Sequence, residues 1–83
     1  MKIIVRLAEP FWRPTGEREH QFELKEPARA RDLLDRLVAA FPALAEEFRQ
    51  SPPLIFLEDE EISLEDLLLE GQRVHLVWPV AGG

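Results

Sequence analysis

One segment of this chain has the spacing of an amphipathic helix, and prolines bound it on both sides. Its apolar residues fall at positions i, i+1, i+4, i+5 and i+8, so they share one face of a helix. These residues are Leu33, Leu34, Leu37, Val38 and Phe41. Pro42 ends the helix near Ala40, because proline lacks the N–H that a helix interior requires. A helix with one apolar face has to bury it, so the flanking segments must supply an apolar surface.

Segments with strand patterns lie on both sides of this helix. Residues 2–8 and 17–24 alternate apolar and polar side chains, and the loop 9–16, which contains proline and glycine, joins them as a hairpin. The apolar run 54–57 lies between a double proline and an acidic run and is too short for a helix, which predicts a strand. Residues 72–78 predict the last strand.

Three shorter patterns complete the prediction. Residues 43–48 predict one or two further helical turns, and the acidic run 58–61 predicts a turn followed by a short strand at 62–63. The N-cap signature at 63–66, followed by three leucines, predicts another helical turn, which Gly71 ends.

These elements predict an α+β fold of the β-grasp (ubiquitin-like) type, with a mixed four- to five-stranded sheet packed on one main helix. Right-handed crossover favours the first and last strands lying parallel at the centre, with the hairpin arm outside. Residues 1–78 would form the β-grasp domain. Residues 79–83 would form an extended C-terminal diglycine tail, since Pro79 has no N–H to continue the ladder.

Composition excludes several classes of function. The 83 residues carry 16 acidic and 10 basic side chains, and the net charge of −6 argues against direct nucleic-acid binding. The absence of cysteine excludes disulfides, thiolate metal ligands and a cysteine nucleophile. We find no secretory signal pattern and no apolar stretch long enough to span a bilayer, so we expect a cytoplasmic location.

The sequence ends in small residues, Ala81, Gly82 and Gly83. A terminal carboxylate is ionised at neutral pH and is a poor electrophile, so acyl transfer requires activation, most simply adenylation with ATP. An activating site has to close around the carboxylate and exclude water, and only a chain with little side-chain bulk can enter it. The docking neck before the glycines would be Trp78, Pro79 and Val80. The alternative is a frayed terminus without a role.

Other candidate residues carry weaker signals. His20 and His75 lie on different strands, and we expect both to be structural or exposed; no metal-ligand spacing or Ser–His–Asp set is present. The acidic run 58–61 predicts a solvated turn rather than an interaction face or a cation site. Phe11 and Trp12 either cap the core or form a binding patch, and we favour core capping.

The final stretch, GQRVHLVWPVAGG at 71–83, resembles the ending of the ubiquitin-like sulfur carriers of the MoaD/ThiS family. The similarity is greatest to the small subunit of molybdopterin synthase. Supporting pieces are 13–16 before the second strand and 32–37 in the helix. The chain departs from the family pattern at Trp78, where a proline is usual, and at 57–58, which lacks the usual asparagine.

This resemblance implies a mechanism in which the catalytic groups sit on partners. A MoeB-like adenylating enzyme would use ATP to activate the carboxylate of Gly83, and a sulfur donor would convert it to a thiocarboxylate. The tail, with Gly82 as companion residue, would insert into a MoaE-like large subunit in molybdenum cofactor biosynthesis. The chain would have no catalytic site and bind no cofactor or metal. Alternatives are a carrier for thiamine, cysteine or tRNA thiolation, a ubiquitin-like modifier, and a passive interaction module.

Overall fold

A computed structural model describes residues 1–79, which form two helices and two sheets. The elements in chain order are β1 (Lys2–Leu7), β2 (Glu19–Glu23), β3 (Ala28–Arg29), α1 (Ala30–Ala40), α2 (Ala43–Gln50), β4 (Leu54–Leu57), β5 (Glu60–Ile62), β6 (Leu67–Leu68) and β7 (Arg73–Val77). No helix within these residues is long and apolar enough to cross a membrane.

The main sheet has five strands in the order β2-β1-β7-β4-β5. The central strands β1 and β7 are parallel, with Val5 opposite Val74, and every other neighbouring pair is antiparallel. The hairpin arm β2 lies outside β1, where Ile3 faces Phe22. This mixed sheet with its covering helices confirms the predicted α+β fold and the central parallel pair.

One apolar cluster joins the sheet to the helices. Alternate residues of the central strands have essentially no exposed surface, and so do the residues of the helical stripe that lie nearest the sheet. The fully buried members from these elements are Ile3, Val5, Leu7, Leu33, Leu37, Val74 and Leu76. Each such aliphatic side chain contributes about 1.5–3 kcal/mol through its removal from water, so these strands and α1 dominate the stability of the fold.

The helix α1 begins and ends where local chemistry requires. The carboxylate of Asp32 accepts a hydrogen bond from the backbone N–H of Arg29 (2.7 Å), and its negative charge lies favourably in the first turn. At the other end the N–H of Phe41 donates to the carbonyl oxygen of Leu37 (2.7 Å), and Pro42 follows. The predicted end near Ala40 is therefore confirmed.

The structure contains a second helix beside the one main helix that the sequence predicts. The segment predicted as one or two turns over 43–48 is the eight-residue helix α2. Its Leu44 is fully buried, and a hydrogen bond from the side chain of Gln50 to that of Glu46 (3.2 Å) spans its last turn. The helical layer consequently contains both α1 and α2.

The helical turn predicted after the N-cap signature is wrong. The carboxylate of Asp66 does accept the N–H of Ser63 (2.8 Å), as the signature requires, but it closes a turn. Leu68 then pairs with Ala28, so that β6 and β3 form a small antiparallel sheet.

Carbonyl groups of this same segment cap the start of α1. The N–H of Ala30 donates to the carbonyl oxygen of Asp66 and that of Arg31 to the carbonyl oxygen of Leu64, both at 2.9 Å. The first N–H groups of a helix have no partner within the helix, so this turn supplies acceptors for two of them.

Only the first half of the acidic run 58–61 forms the predicted turn. Glu58 and Asp59 form the turn, and Glu58 has a positive φ of 54°. Glu60 and Glu61 belong to β5, where Glu60 faces Leu57 of β4. The short strand predicted at 62–63 therefore exists, but it begins earlier because pairing with β4 extends it.

Replacing Leu44 with alanine tests whether α2 is an integral part of the core. Because the side chain is fully buried, Leu44→Ala should lower the free energy of unfolding by about 2–5 kcal/mol. The matched control is Leu69→Ala, at a leucine that is 65% exposed, which should change it by less than about 0.5 kcal/mol. Urea unfolding followed by circular dichroism measures both. Equal effects would show that α2 is not part of the cooperative core.

Candidate functional site

The strand β7 carries the chain from the centre of the sheet to the predicted tail. Val77, its last residue, is opposite Leu54 of β4, and the N–H of Ala8 donates to the carbonyl oxygen of Leu76 (3.0 Å). The next residues are Trp78 and Pro79, and Pro79 has no N–H for a ladder bond. The backbone is thus held by both neighbouring strands up to the residue before Trp78.

Trp78, predicted as part of a docking neck, is half-buried and packs against the core. Its ring centroid lies 5.5 Å from that of Phe11, and Phe11 meets Phe48 of α2 edge-on at 5.2 Å. We call Phe11, Phe48 and Trp78 the aromatic cluster. Phe11 is fully buried, so it closes the core at this end of the sheet as predicted.

Trp12, the neighbour of Phe11, has a different environment. It is half-buried, and the guanidinium group of Arg18 lies over its ring at 5.0 Å from the centroid. It packs against the core cluster but takes no part in the ring contacts of the aromatic cluster. Core capping therefore describes both aromatic residues of this loop.

The sheet presents a second, less buried face, on the side away from the core residues. Side chains of β1, β7 and β4 that alternate with the core residues lie here in register, with His75 opposite both Arg6 and Phe56. Val77 and Leu54 are likewise opposite each other. We call this surface the open face; its central residues are Ile4, Arg6, Leu54, Phe56, His75 and Val77. All of them are half-buried except Arg6, which is exposed.

Charged side chains border the open face. The carboxylate of Glu19 on β2 is 2.6 Å from Arg73 and 4.0 Å from Arg6. All three side chains are more than 40% exposed, so these ion pairs contribute little to stability. Their effect is to hold positive groups beside the apolar centre of this face.

The surroundings of His75 lower its pKa below the ordinary value of 6.5. The larger cause is burial, which disfavours the charged imidazolium, and the positive charge of Arg6 adds to it. His75 is therefore neutral at neutral pH, and Arg6 is the only charged side chain among the central residues of the open face.

The two histidines lie on opposite faces of the sheet. His20 shares the core face with Val5, its Nε2 is 2.8 Å from Thr15 Oγ1, and its ring packs on Phe41 at 4.8 Å. His75 lies on the open face. The structure therefore does not bring them into one site.

An acid-lined groove of about 870 Å³ lies at the other end of β7, away from the tail. The acidic turn and the start of β7 line it, including Glu58, Asp59, Glu70 and Arg73. Within residues 1–79, no group of three or more His, Asp or Glu side chains is arranged to hold a metal ion. Residues 58–61 are all exposed, as predicted for a solvated segment.

The predicted site is described only at its base. Trp78 and Pro79 are placed at the end of β7, whereas Val80, Ala81, Gly82 and Gly83 lie outside the described residues. The open face was not predicted from the sequence. Two features could have indicated it: Ile4, which breaks the alternation in β1, and the uninterrupted apolar run of β4. Strands that are covered on both faces lack alternation.

Comparison with solved structures identifies proteins of similar fold. SAMP1 of Haloferax volcanii is 25% identical, the match covers 100% of both chains, and the TM-score is 0.83. The proposed subunit 1 of molybdopterin converting factor from Pyrococcus furiosus is 24% identical over 96% of this chain and 99% of that chain, with a TM-score of 0.80.

A further match occurs in a complex of subunits 1 and 2 of molybdopterin-converting factor from Helicobacter pylori. It is 25% identical over 100% of both chains, with a TM-score of 0.65. No protein-family model matches the sequence, and no curated protein matches it by sequence.

The fold and these matches define the class: the chain is a ubiquitin-like β-grasp protein. Within that class its structural neighbours are MoaD/ThiS-like sulfur carriers and modifiers, so the resemblance predicted from the C-terminal residues is confirmed.

The lowered pKa of His75 can be measured by nuclear magnetic resonance titration of its ring. We expect a value below 6.5 in the native protein. Arg6→Met should raise this pKa without restoring it fully, because burial is the larger cause. Arg18→Met, which removes a cation over Trp12 instead, is the matched control. A native pKa at or above 6.5 would contradict this description of the open face.

The lowered pKa of His75 also determines how the stability of the fold changes with pH. Folding favours neutral His75, so its contribution to stability is present above pH 6.5 and is lost as pH falls through the lowered native pKa. His75→Gln should therefore lose less stability than the native chain between pH 7 and about 5, as measured by urea unfolding. An identical loss in both proteins would rule out this linkage.

Proposed function

We propose that this chain is a sulfur carrier, with Gly83 as its reacting residue, and that it serves as the small subunit of a molybdopterin synthase in molybdenum cofactor biosynthesis. The observation that carries the proposal is the diglycine sequence Gly82-Gly83, which follows the central strand β7 after residues 78–81. It occurs in a fold that the chain shares with subunit 1 of molybdopterin-converting factor. We retain the expectation of a cytoplasmic location, since the activating step consumes ATP.

The proposed chemistry has two steps at one carboxyl group: the first at its oxygen and the second at its carbon. The carboxylate oxygen of Gly83 attacks the α-phosphorus of ATP, forming an acyl-adenylate and releasing pyrophosphate. Hydrosulfide, delivered by a sulfur donor, then attacks the carbonyl carbon, and AMP leaves as the C–S bond forms. The product is a thiocarboxylate, and the proton of hydrosulfide passes to solvent or a base of the partner. Adenylation is required because a carboxylate resists nucleophilic attack.

In this proposal the chain supplies a reactive end and a docking surface, and the partners supply catalysis. The open face has the composition of a protein interface core, with apolar residues and an arginine and without a central acidic side chain. Trp78 would remain at the base of the neck, and Pro79, Val80 and Ala81 would enter the partner's channel ahead of it with the two glycines. ATP would bind to the partner, and the chain itself would hold no cofactor.

The partners we propose are a MoeB-like adenylating enzyme and a MoaE-like large subunit. The Helicobacter pylori neighbour supports the second of these, because that structure is a complex of subunits 1 and 2 of molybdopterin-converting factor. Both partners would use the same tail, so their binding to one carrier should be mutually exclusive.

A second candidate function is protein modification, and the similarity to SAMP1, a small archaeal modifier protein, favours it. The activation step would be the same. A lysine amine would then attack the carbonyl carbon of the acyl-adenylate, AMP would leave, and an isopeptide bond would form as the amine loses a proton to solvent. The two functions differ in the nucleophile, which the partners select.

Mass spectrometry after thiol-directed alkylation tests the carrier chemistry. The chain is produced with its native activating enzymes, and we expect an alkyl label on the peptide containing Gly83. Because the sequence has no cysteine, a label there identifies a thiocarboxylate once modification of Met1 is mapped and excluded. Deleting Gly83 should abolish the label and leave the unfolding midpoint unchanged. Absence of label with machinery that loads a known carrier would reject the proposal.

Partner identity separates the remaining alternatives. Co-purification with a MoaE-like subunit supports molybdopterin synthesis, whereas a thiazole or cysteine synthase would move the carrier to another pathway. Lysine-linked adducts of higher mass in cells would support the modifier. A tail deletion that leaves every partner interaction and reaction unchanged would indicate a passive module.

A substitution on the open face tests its role in docking. Phe56→Asp should raise the KM for adenylation by about tenfold or more, because it buries a charge at the centre of an apolar contact. The matched control is Leu69→Asp, the same kind of change at an exposed leucine outside the open face. Pyrophosphate exchange measures both variants. If they have the same KM, the open face does not contact the activating enzyme.

A further inference from the structure

The aromatic cluster connects the base of the tail to the helical layer. Phe11 has no exposed surface, and it contacts Phe48 of α2 on one side and Trp78 on the other. Ring pairs at these separations are stabilised beyond what their buried area provides, and they favour particular orientations. Trp78 is therefore held by its side chain as well as by the strand that precedes it.

The backbone before Trp78 is fixed from both sides. On one side the N–H of Ala8, just after β1, donates to the carbonyl oxygen of Leu76, and on the other Leu54 of β4 faces Val77. Pro79, which follows, cannot donate a ladder bond and has its φ restricted by its ring. Trp78 thus directly follows a residue whose backbone is paired in the sheet, and its own side chain contacts the core.

We propose that Trp78, seated on Phe11, is the positioning residue that sets where the tail starts and the direction in which it enters a partner. This inference rests on the proposed function. A segment of the length of 79–83 spans at most about 17 Å when fully extended. The partner's reacting groups must then lie within that distance of Trp78, so a displaced starting point moves Gly83 away from them.

The position of Trp78 at the surface distinguishes this role from simple core packing. Its side chain is only half-buried, so part of the ring remains available to a partner while the rest contacts Phe11. A fixed base also reduces the conformational freedom that the tail would lose on entering a channel. In the proposed function, docking occurs on the open face. A change at Trp78 should therefore alter the position of the reacting group, and with it kcat, more than the affinity for the partner.

Adenylation kinetics with the full chain and a MoeB-like enzyme of the same organism test the positioning role. Trp78→Ala should lower kcat by about tenfold or more and change KM by less than about threefold, since small misplacements of a reacting group reduce the rate strongly. Trp78→Phe keeps an aromatic ring on Phe11 and should restore most of kcat. Phe11→Leu keeps the core apolar but removes the ring contact, so it should behave like Trp78→Ala.

Fluorescence provides a readout that needs no partner. The chain contains 2 tryptophans, so Trp12→Phe leaves Trp78 as the sole tryptophan. We expect acrylamide to quench Trp78 to an intermediate degree in this background, less than free tryptophan, and more strongly when Phe11→Leu is added. Unfolding midpoints of all variants identify any that fail to fold, and Trp78→Leu replaces Trp78→Ala if that variant unfolds.

The outcomes separate this inference from the proposed function. If the native chain is loaded but Trp78→Ala keeps its kcat, or if Trp78 is fully accessible to acrylamide, the positioning role is wrong and the carrier proposal stands. A rise in KM alone would assign Trp78 to docking and also overturn the inference. If the native chain is never loaded, both fail, and the contact with Phe11 is packing only.

Discussion

The fold depends on the parallel pairing of β1 with β7. Two parallel strands cannot be joined by a tight turn, so the chain between them has to cross over one face of the sheet. That crossover contains α1 and α2, whose apolar residues cover the face. Parallel pairing also makes both strands end at the same edge, so the loop after β1 lies beside the residues after β7. This is why Phe11 meets Trp78 although 67 positions separate them in the sequence numbering.

Much of this architecture was predictable from local patterns. The strands β1, β4 and β7 and the helix α1 have strong periodicity and clear proline or glycine boundaries, and each was found where the pattern indicated. The segment after Ser63 was mispredicted because its conformation depends on hydrogen bonds to residues that are distant in the sequence. The signature forms the expected hydrogen bond at Asp66, but its own carbonyl groups bond to the start of α1 and the residues after it pair with β3.

The candidate site also has a part that was predictable from the sequence and a part that was not. A diglycine sequence after a strand is visible in the sequence and predicts an acyl-transfer end by chemistry alone. The open face is not visible, because it depends on the register between strands that are distant in the chain, such as Phe56 beside His75. The half-burial of Trp78 was not predictable either, since it needs a phenylalanine from another loop. The sequence thus predicts a reacting group, and only the structure describes the open face that we propose as its docking surface.

The alternation of β7 has a consequence for how such a chain can vary. Val74 and Leu76 face the core, whereas His75 and Val77 face outward. A strand has a side-chain period of two, so inserting or deleting one residue within β7 would exchange these roles and place an imidazole in the apolar core. Length changes are therefore compatible with the fold in the loops or beyond Pro79, and related chains can differ in reach while keeping β7 at constant length.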